Sequence, residues 1–191
     1  MGGEAAGGIC GGARVMECEF SVELGADDPT LAVPWRSPDG SVGFVDLRFD
    51  SSMIVELSEV KEFPELGEFL RALNSGEFAT AKCDVWFDTL MDVDDEPYEA
   101  AMKCASYVDV YFAGARLASF EEHELRARAV VKRVRAAEEI RGRAEVVVRR
   151  AWFGEDEGFY WTVYLTGYGE DSDSSRQQWA KAMRVVEKAL S

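Results

Sequence analysis

From residue 16 to residue 24 apolar and polar side chains alternate without a break: Met16, Cys18, Phe20, Val22 and Leu24 against Glu17, Glu19, Ser21 and Glu23. This period of two predicts a half-buried strand, because successive side chains of an extended chain point to opposite faces. A loop marked by Asp28-Pro29 and Val33-Pro34-Trp35 follows, and Pro38-Asp39-Gly40 is a turn signal. Residues 42–49, carrying Val42, Phe44, Val45 and Leu47, predict a second strand. Pro64 suits the first position of a helix, where its missing N–H is not needed. Leu66, Phe69, Leu70 and Leu73 repeat at helical spacing from there, until Asn74-Ser75-Gly76 stops the helix.

Two further strands are expected at about residues 78–87 and 102–112, around an acidic loop. The next helix opens at Ser119, where Ser119 and Glu122 match a capping box, and is expected to run to about residue 141 before Gly142. Its apolar stripe is Val130, Val131, Val134, Ala137 and Ile140. Residues 144–153 and 159–168 predict a hairpin over a Gly-Glu-Asp-Glu-Gly loop. A last helix is expected over residues 174–190, with Trp179, Met183, Val186 and Leu190 on one face. The order is strand-strand-helix three times, with no residue-level repetition between the units. Hairpins whose helices return to one side predict an α+β domain, a mostly antiparallel sheet with helices packed on it.

Composition adds limits to that picture. A chain of 191 residues with 47% hydrophobic and 12% aromatic side chains suits one folded domain with its own core. Residues 1–15 are Gly/Ala-rich and expected to be a disordered tail, leaving residues 16–191 as the domain. Met16 opens the first patterned segment and is an alternative point for translation to begin. The tail has neither a basic start nor an apolar stretch of signal-peptide length, so a soluble cytoplasmic protein is expected. No apolar run approaches the ~20 residues that cross a bilayer. The four cysteines, Cys10, Cys18, Cys83 and Cys104, are then expected to be reduced, and their spacing contains no C-x-x-C pair.

The net charge of −15 argues against generic nucleic-acid binding. Its distribution is uneven. Residues 1–113 hold 23 acidic and 7 basic side chains, whereas residues 126–150 hold nine basic and three acidic. The plainest expectation is that this basic band faces the acidic half of its own fold. A weaker idea gives the band to single-stranded nucleic acid, with Trp152 and Tyr160 as stacking platforms.

Candidate chemistry is sparse. Nucleotide-binding glycine loops, the G-x-S-x-G elbow and H-E-x-x-H are all missing, so no catalytic residues, cofactor or metal site are assigned. His123 is the single histidine and, with three glutamates near it, reads as part of a solvated helix face. Cys83 and Cys104 read as small core residues. Strand alternation does gather one set of side chains: Asp84, Trp86, Tyr107, Asp109, Tyr111, Tyr160 and Tyr164 share a sheet face if their strands share a sheet. Apolar rings with a few directional polar groups suit a small-molecule pocket or a protein hot spot, unless a helix covers them. The acidic loop Asp92, Asp94, Asp95 and Glu96 is a second candidate, for a basic partner. The expected function is therefore a non-catalytic protein-binding module, inhibitor- or immunity-like, that neutralises a basic protein partner. The alternative is a small-molecule-binding protein or enzyme using the aromatic, Asp-containing face.

Overall fold

A computed structural model describes residues 16–91, 97–137 and 140–191. Six strands form one sheet: β1 (Glu17–Glu23), β2 (Leu31–Val33), β3 (Phe78–Thr89), β4 (Met102–Phe112), β5 (Gly142–Phe153) and β6 (Asp156–Gly169). Four α-helices accompany them: α1 (Ser58–Glu62), α2 (Pro64–Ser75), α3 (Phe120–Arg135) and α4 (Ser172–Leu190). The strand order is β1-β5-β6-β4-β3, with β2 also on β5. No helix among the described residues is long and apolar enough to cross a membrane.

The architecture is α+β, but the sheet is mixed rather than mostly antiparallel. β3, β4, β6 and β5 pair antiparallel in turn, while β1 and β2 both run parallel to β5. The two parallel pieces form one interrupted edge: β1 covers Arg143–Arg149 and β2 covers Ala151–Phe153, and the intervening residues 24–30 loop out. A hairpin between the first two strands is thereby excluded, and the first strand-strand-helix unit does not form. Residues 42–49, expected as a strand, contribute a single bridge, Arg36 with Gly43. Asp46 is the physical reason. Its carboxylate accepts from the N–H groups of Arg48 (3.0 Å) and Phe49 (3.3 Å), so the backbone turns where a strand would have to extend.

The remaining elements follow their local signals. Pro64 stands at the start of α2. Ser119 caps α3 by accepting from Glu122 N–H, although α3 ends at Arg135, six residues short of expectation. Gly154, at φ 67°, makes the β5–β6 turn two residues long, so β6 begins at Asp156, three residues before its apolar pattern.

All three long helices lie on one face of the sheet. Cys104, Val108, Val110 and Phe112 of β4, Trp161, Val163 and Leu165 of β6, and Ala144, Val146 and Val148 of β5 form the core with them. α4 lies almost in contact with the β6 backbone. A side chain at Gly167 would put its Cβ 2.0 Å from the backbone nitrogen of Trp179, so only glycine permits this approach. Trp179 is fully buried there, donates from Nε1 to Ser106 Oγ at 2.8 Å, and packs edge-on to Phe63.

Candidate functional site

Among the described residues the opposite face carries no helix. Its side chains come from alternate positions of five strands, and the register fixes which ones meet. Asp84 pairs with Tyr107, Tyr107 with Tyr164, Tyr164 with Glu145, and Glu145 with Glu19. One row across the sheet therefore reads acid, aromatic, aromatic, acid, acid. The Tyr107 and Tyr164 rings are 6.4 Å apart. Glu19 is neutralised by Arg143 at 2.9 Å, whereas neither Asp84 nor Glu145 has an ion-pair partner among the described residues. Trp86 lies one step along β3, exposed, with Nε1 donating to Asp88 Oδ2 at 3.0 Å.

The neighbouring row holds a buried polar chain that crosses four strands. Glu23 receives Arg149 Nε at 2.7 Å, Arg149 Nη1 donates to Thr162 Oγ1 at 2.7 Å and to Tyr164 Oη at 3.2 Å, and Thr162 donates to Asp109 Oδ1 at 2.7 Å. Asp109, Thr162 and Arg149 are all buried. Burial pushes the Asp109 carboxyl up to about 6, against the opposing pull of the Thr162 hydroxyl and of Lys82 and Arg149. Burial also raises the Tyr107 phenol to about 12, with the charges of Asp109 and Asp84 adding to it, so this ring stays neutral. Burial works against the Arg149 charge, but its bonds to Tyr164 and Glu23 outweigh that and hold the guanidinium protonated.

The seven aromatic and acidic residues expected on one face do share it, but they are not equally available. Tyr160 is buried with Leu31, Val33 and Ala151 in a small second core, against which the partly buried Phe44, Ala81, Tyr111 and Phe153 pack. Tyr111 stacks on Phe153 at 5.0 Å. Asp109 lies beneath its neighbours at 6% exposure. Asp84, Trp86, Tyr107, Tyr111 and Tyr164 are the members that reach solvent. Glu145 and Arg149 belong to the same face and were not assigned from sequence. Their signal was the alternation of Glu145, Val147 and Arg149 against Val146 and Val148.

Other candidates separate from this face. Asp92, Asp94, Asp95 and Glu96 lie outside the described residues. His123 is not on a solvated face: it is 1% exposed, with Nδ1 2.7 Å from Ser119 O and its ring among Phe112, Phe159 and Trp161. Burial lowers its pKa. Cys104 is buried on the helix side and Cys83 is half-buried; burial pushes both thiols up to about 12, so neither is a ready nucleophile. Among the described residues no group of three or more His, Cys, Asp or Glu is placed to hold a metal. Much of the basic band is engaged internally: Arg126 lies 3.0 Å from Glu77, Arg143 pairs with Glu19 and Arg149 with Glu23.

Comparisons with protein-family models, with curated proteins and with solved structures return no match.

Proposed function

We propose that this protein is a non-catalytic binding module that receives a basic protein partner on its helix-free sheet face. The observation that carries this reading is the row Asp84, Tyr107, Tyr164 and Glu145. Two tyrosine faces attract a cation through their quadrupoles, and the carboxylates on either side, free of internal cations, add Coulomb attraction for the same charge. Arg149, whose guanidinium carbon lies 5.8 Å from the Tyr164 ring centre, already shows that ring beside a cation. An arginine or lysine of a partner would find both terms together, and an acidic protein of net charge −15 would draw it in at long range. Masking a basic surface in this way suits an inhibitor- or immunity-like role.

The test is affinity for a partner isolated from the native source. Tyr164→Ala and Asp84→Lys are each expected to weaken binding tenfold or more, with association slowing as salt rises. Undiminished affinity in both variants, at every salt concentration, would refute the reading.

Asp109 favours a second reading, a small-molecule site or enzyme on the same face. A carboxyl titrating at about 6 beside two tyrosines has the properties of a general acid or base. A thermal-shift screen of metabolites separates the two. A ligand whose stabilisation disappears in Trp86→Ala and Asp109→Asn would favour the second.

A further inference from the structure

β3 is an edge strand, and its two halves differ. In the first half side chains close the outer backbone: Arg48 Nη1 donates to Gly76 O at 2.8 Å and Phe78 O at 2.6 Å, and Trp35 Nε1 donates to Ala81 O at 2.7 Å. A register shift between Thr80 and Cys83 then interrupts the ladder. Beyond it no described strand pairs with the outer edge. Leu90 N–H donates inward to Ala101 O, and β3–β4 pairing keeps that parity, so Asp84, Trp86 and Asp88 exchange their bonds with β4. Cys83, Val85, Phe87 and Thr89 therefore turn their N–H and C=O groups outward. Among the described residues the one group that meets them is the Asp84 carboxylate, 2.8 Å from Val85 N–H.

A cavity of about 300 Å³ opens at the start of this free edge. Its apolar walls come from Trp35, Val45, Leu47, Leu57 and Leu70, Cys83 lines it on the strand side, and its rim is polar. Glu59, Lys82 and Glu56 border it, the last paired with Lys61 at 3.0 Å. Asp84 stands without an ion pair among the described residues on the other side of the strand, where Asp88 is paired with Lys103 at 3.3 Å. An unpaired edge gives main-chain bonds to an added strand, and a pocket beside it selects one of that strand's alternate side chains.

Resting on the reading that the partner is basic, we infer that a partner segment binds as an extended strand along Cys83–Thr89. It places an apolar side chain in the Leu57–Cys83 cavity and a basic side chain against Asp84. The occupant follows from charge: a second copy of this acidic edge would repel, whereas a Lys- or Arg-bearing strand is complementary.

The probe is a capped, fluorescein-labelled peptide in which four lysines alternate with three leucines. Fluorescence anisotropy is measured with the wild-type protein and with two sets of N-methylated peptides, one methylated on the leucines and one on the lysines. Antiparallel addition pairs the pocket-side residues with Cys83, Val85 and Phe87, so methylation of leucine nitrogens is expected to cost tenfold or more in affinity. Methylation of lysine nitrogens is expected to cost less than threefold; a reversed pattern would mean parallel addition. Gly43→Phe fills the cavity from a position where a new side chain meets nothing within 4 Å, and is expected to weaken binding at least tenfold. If the peptide does not bind, or both methylated sets bind equally well, the edge inference falls. Loss on Tyr107→Ala and Tyr164→Ala, with no effect of methylation or of Gly43→Phe, would leave the basic ligand on the open face and overturn strand addition alone.

Discussion

The two faces of this sheet are built from the same strands, with side chains of adjacent residues, yet they are closed by different means. On one face Val108, Val163 and Val146 lie under helices and are buried outright. One residue away on each strand, Asp109, Thr162 and Val147 are buried too, though no helix among the described residues lies above them. There the cover is the 31–44 segment together with a hydrogen-bonded row of polar side chains. The helix side excludes water by apolar area. The other side tolerates a carboxylate, a hydroxyl and a guanidinium because each has a partner, and it leaves tyrosines and unpaired acids at its open middle.

Removing the largest side chain from each face should show how unequal they are. Trp179→Ala on the helix side empties a fully buried site and leaves Ser106 Oγ without its donor, and about 3–5 kcal/mol of stability should be lost. In a thermal melt that corresponds to about 6–20 °C. An equal drop for Trp86→Ala would dissolve the contrast.

Asp109→Asn should act in the opposite direction. The folded-state carboxyl titrates at about 6 instead of 3.8, so at neutral pH its ionised form costs stability. The asparagine keeps an acceptor for Thr162, and is expected to raise the melting point at pH 7 by up to about 3 kcal/mol in stability. That gain should shrink as pH falls through 6 and vanish below about 4, where the wild-type carboxyl is protonated whether folded or unfolded.

His123 gives the helix side its own pH signature, of the contrary sign. Its pKa is lowered by burial, so the unfolded chain takes up a proton first and stability declines as pH falls below about 6.5. Melting points between pH 7 and 5 should fall less steeply in His123→Gln than in the wild type. Smallest of all, Asp84→Asn and Glu145→Gln should change stability by no more than about 0.5 kcal/mol, as surface substitutions do. Their melting curves should superimpose on the wild type, while partner binding responds.

Much of this arrangement was written locally in the chain. The alternation around Val108, Trp161 and Val146 gave the strands their faces, and Pro64, Ser119 and the Trp179 stripe gave the helices. What escaped depended on distance or competition. The parallel docking of β1 on β5 joins residues such as Glu23 and Arg149, which no local period connects. Residues 42–49 carry a strand-like composition, but the Asp46 carboxylate captures their backbone. The set Asp84, Trp86, Tyr107 and Tyr164 could be placed on a common face from alternation alone. That Tyr160 is sealed could not, because its cover comes from Leu31, Val33 and Phe44 far earlier in the chain.

The looped-out edge formed by β1 and β2 has a consequence for the order in which the molecule assembles. The hairpin of β5 and β6 closes over two residues, whereas Glu23 must find Arg149 across 126 positions. Closing so large a loop carries an entropic cost that nearby pairings escape, so the N-terminal strand is expected to dock last and release first. Native-state hydrogen exchange should read this directly, with the amides of Glu19 and Ser21, which bond to β5, exchanging before those of Val163 and Leu165. On that account the Glu23–Arg149 pair acts as a latch that closes after the rest of the sheet is in place.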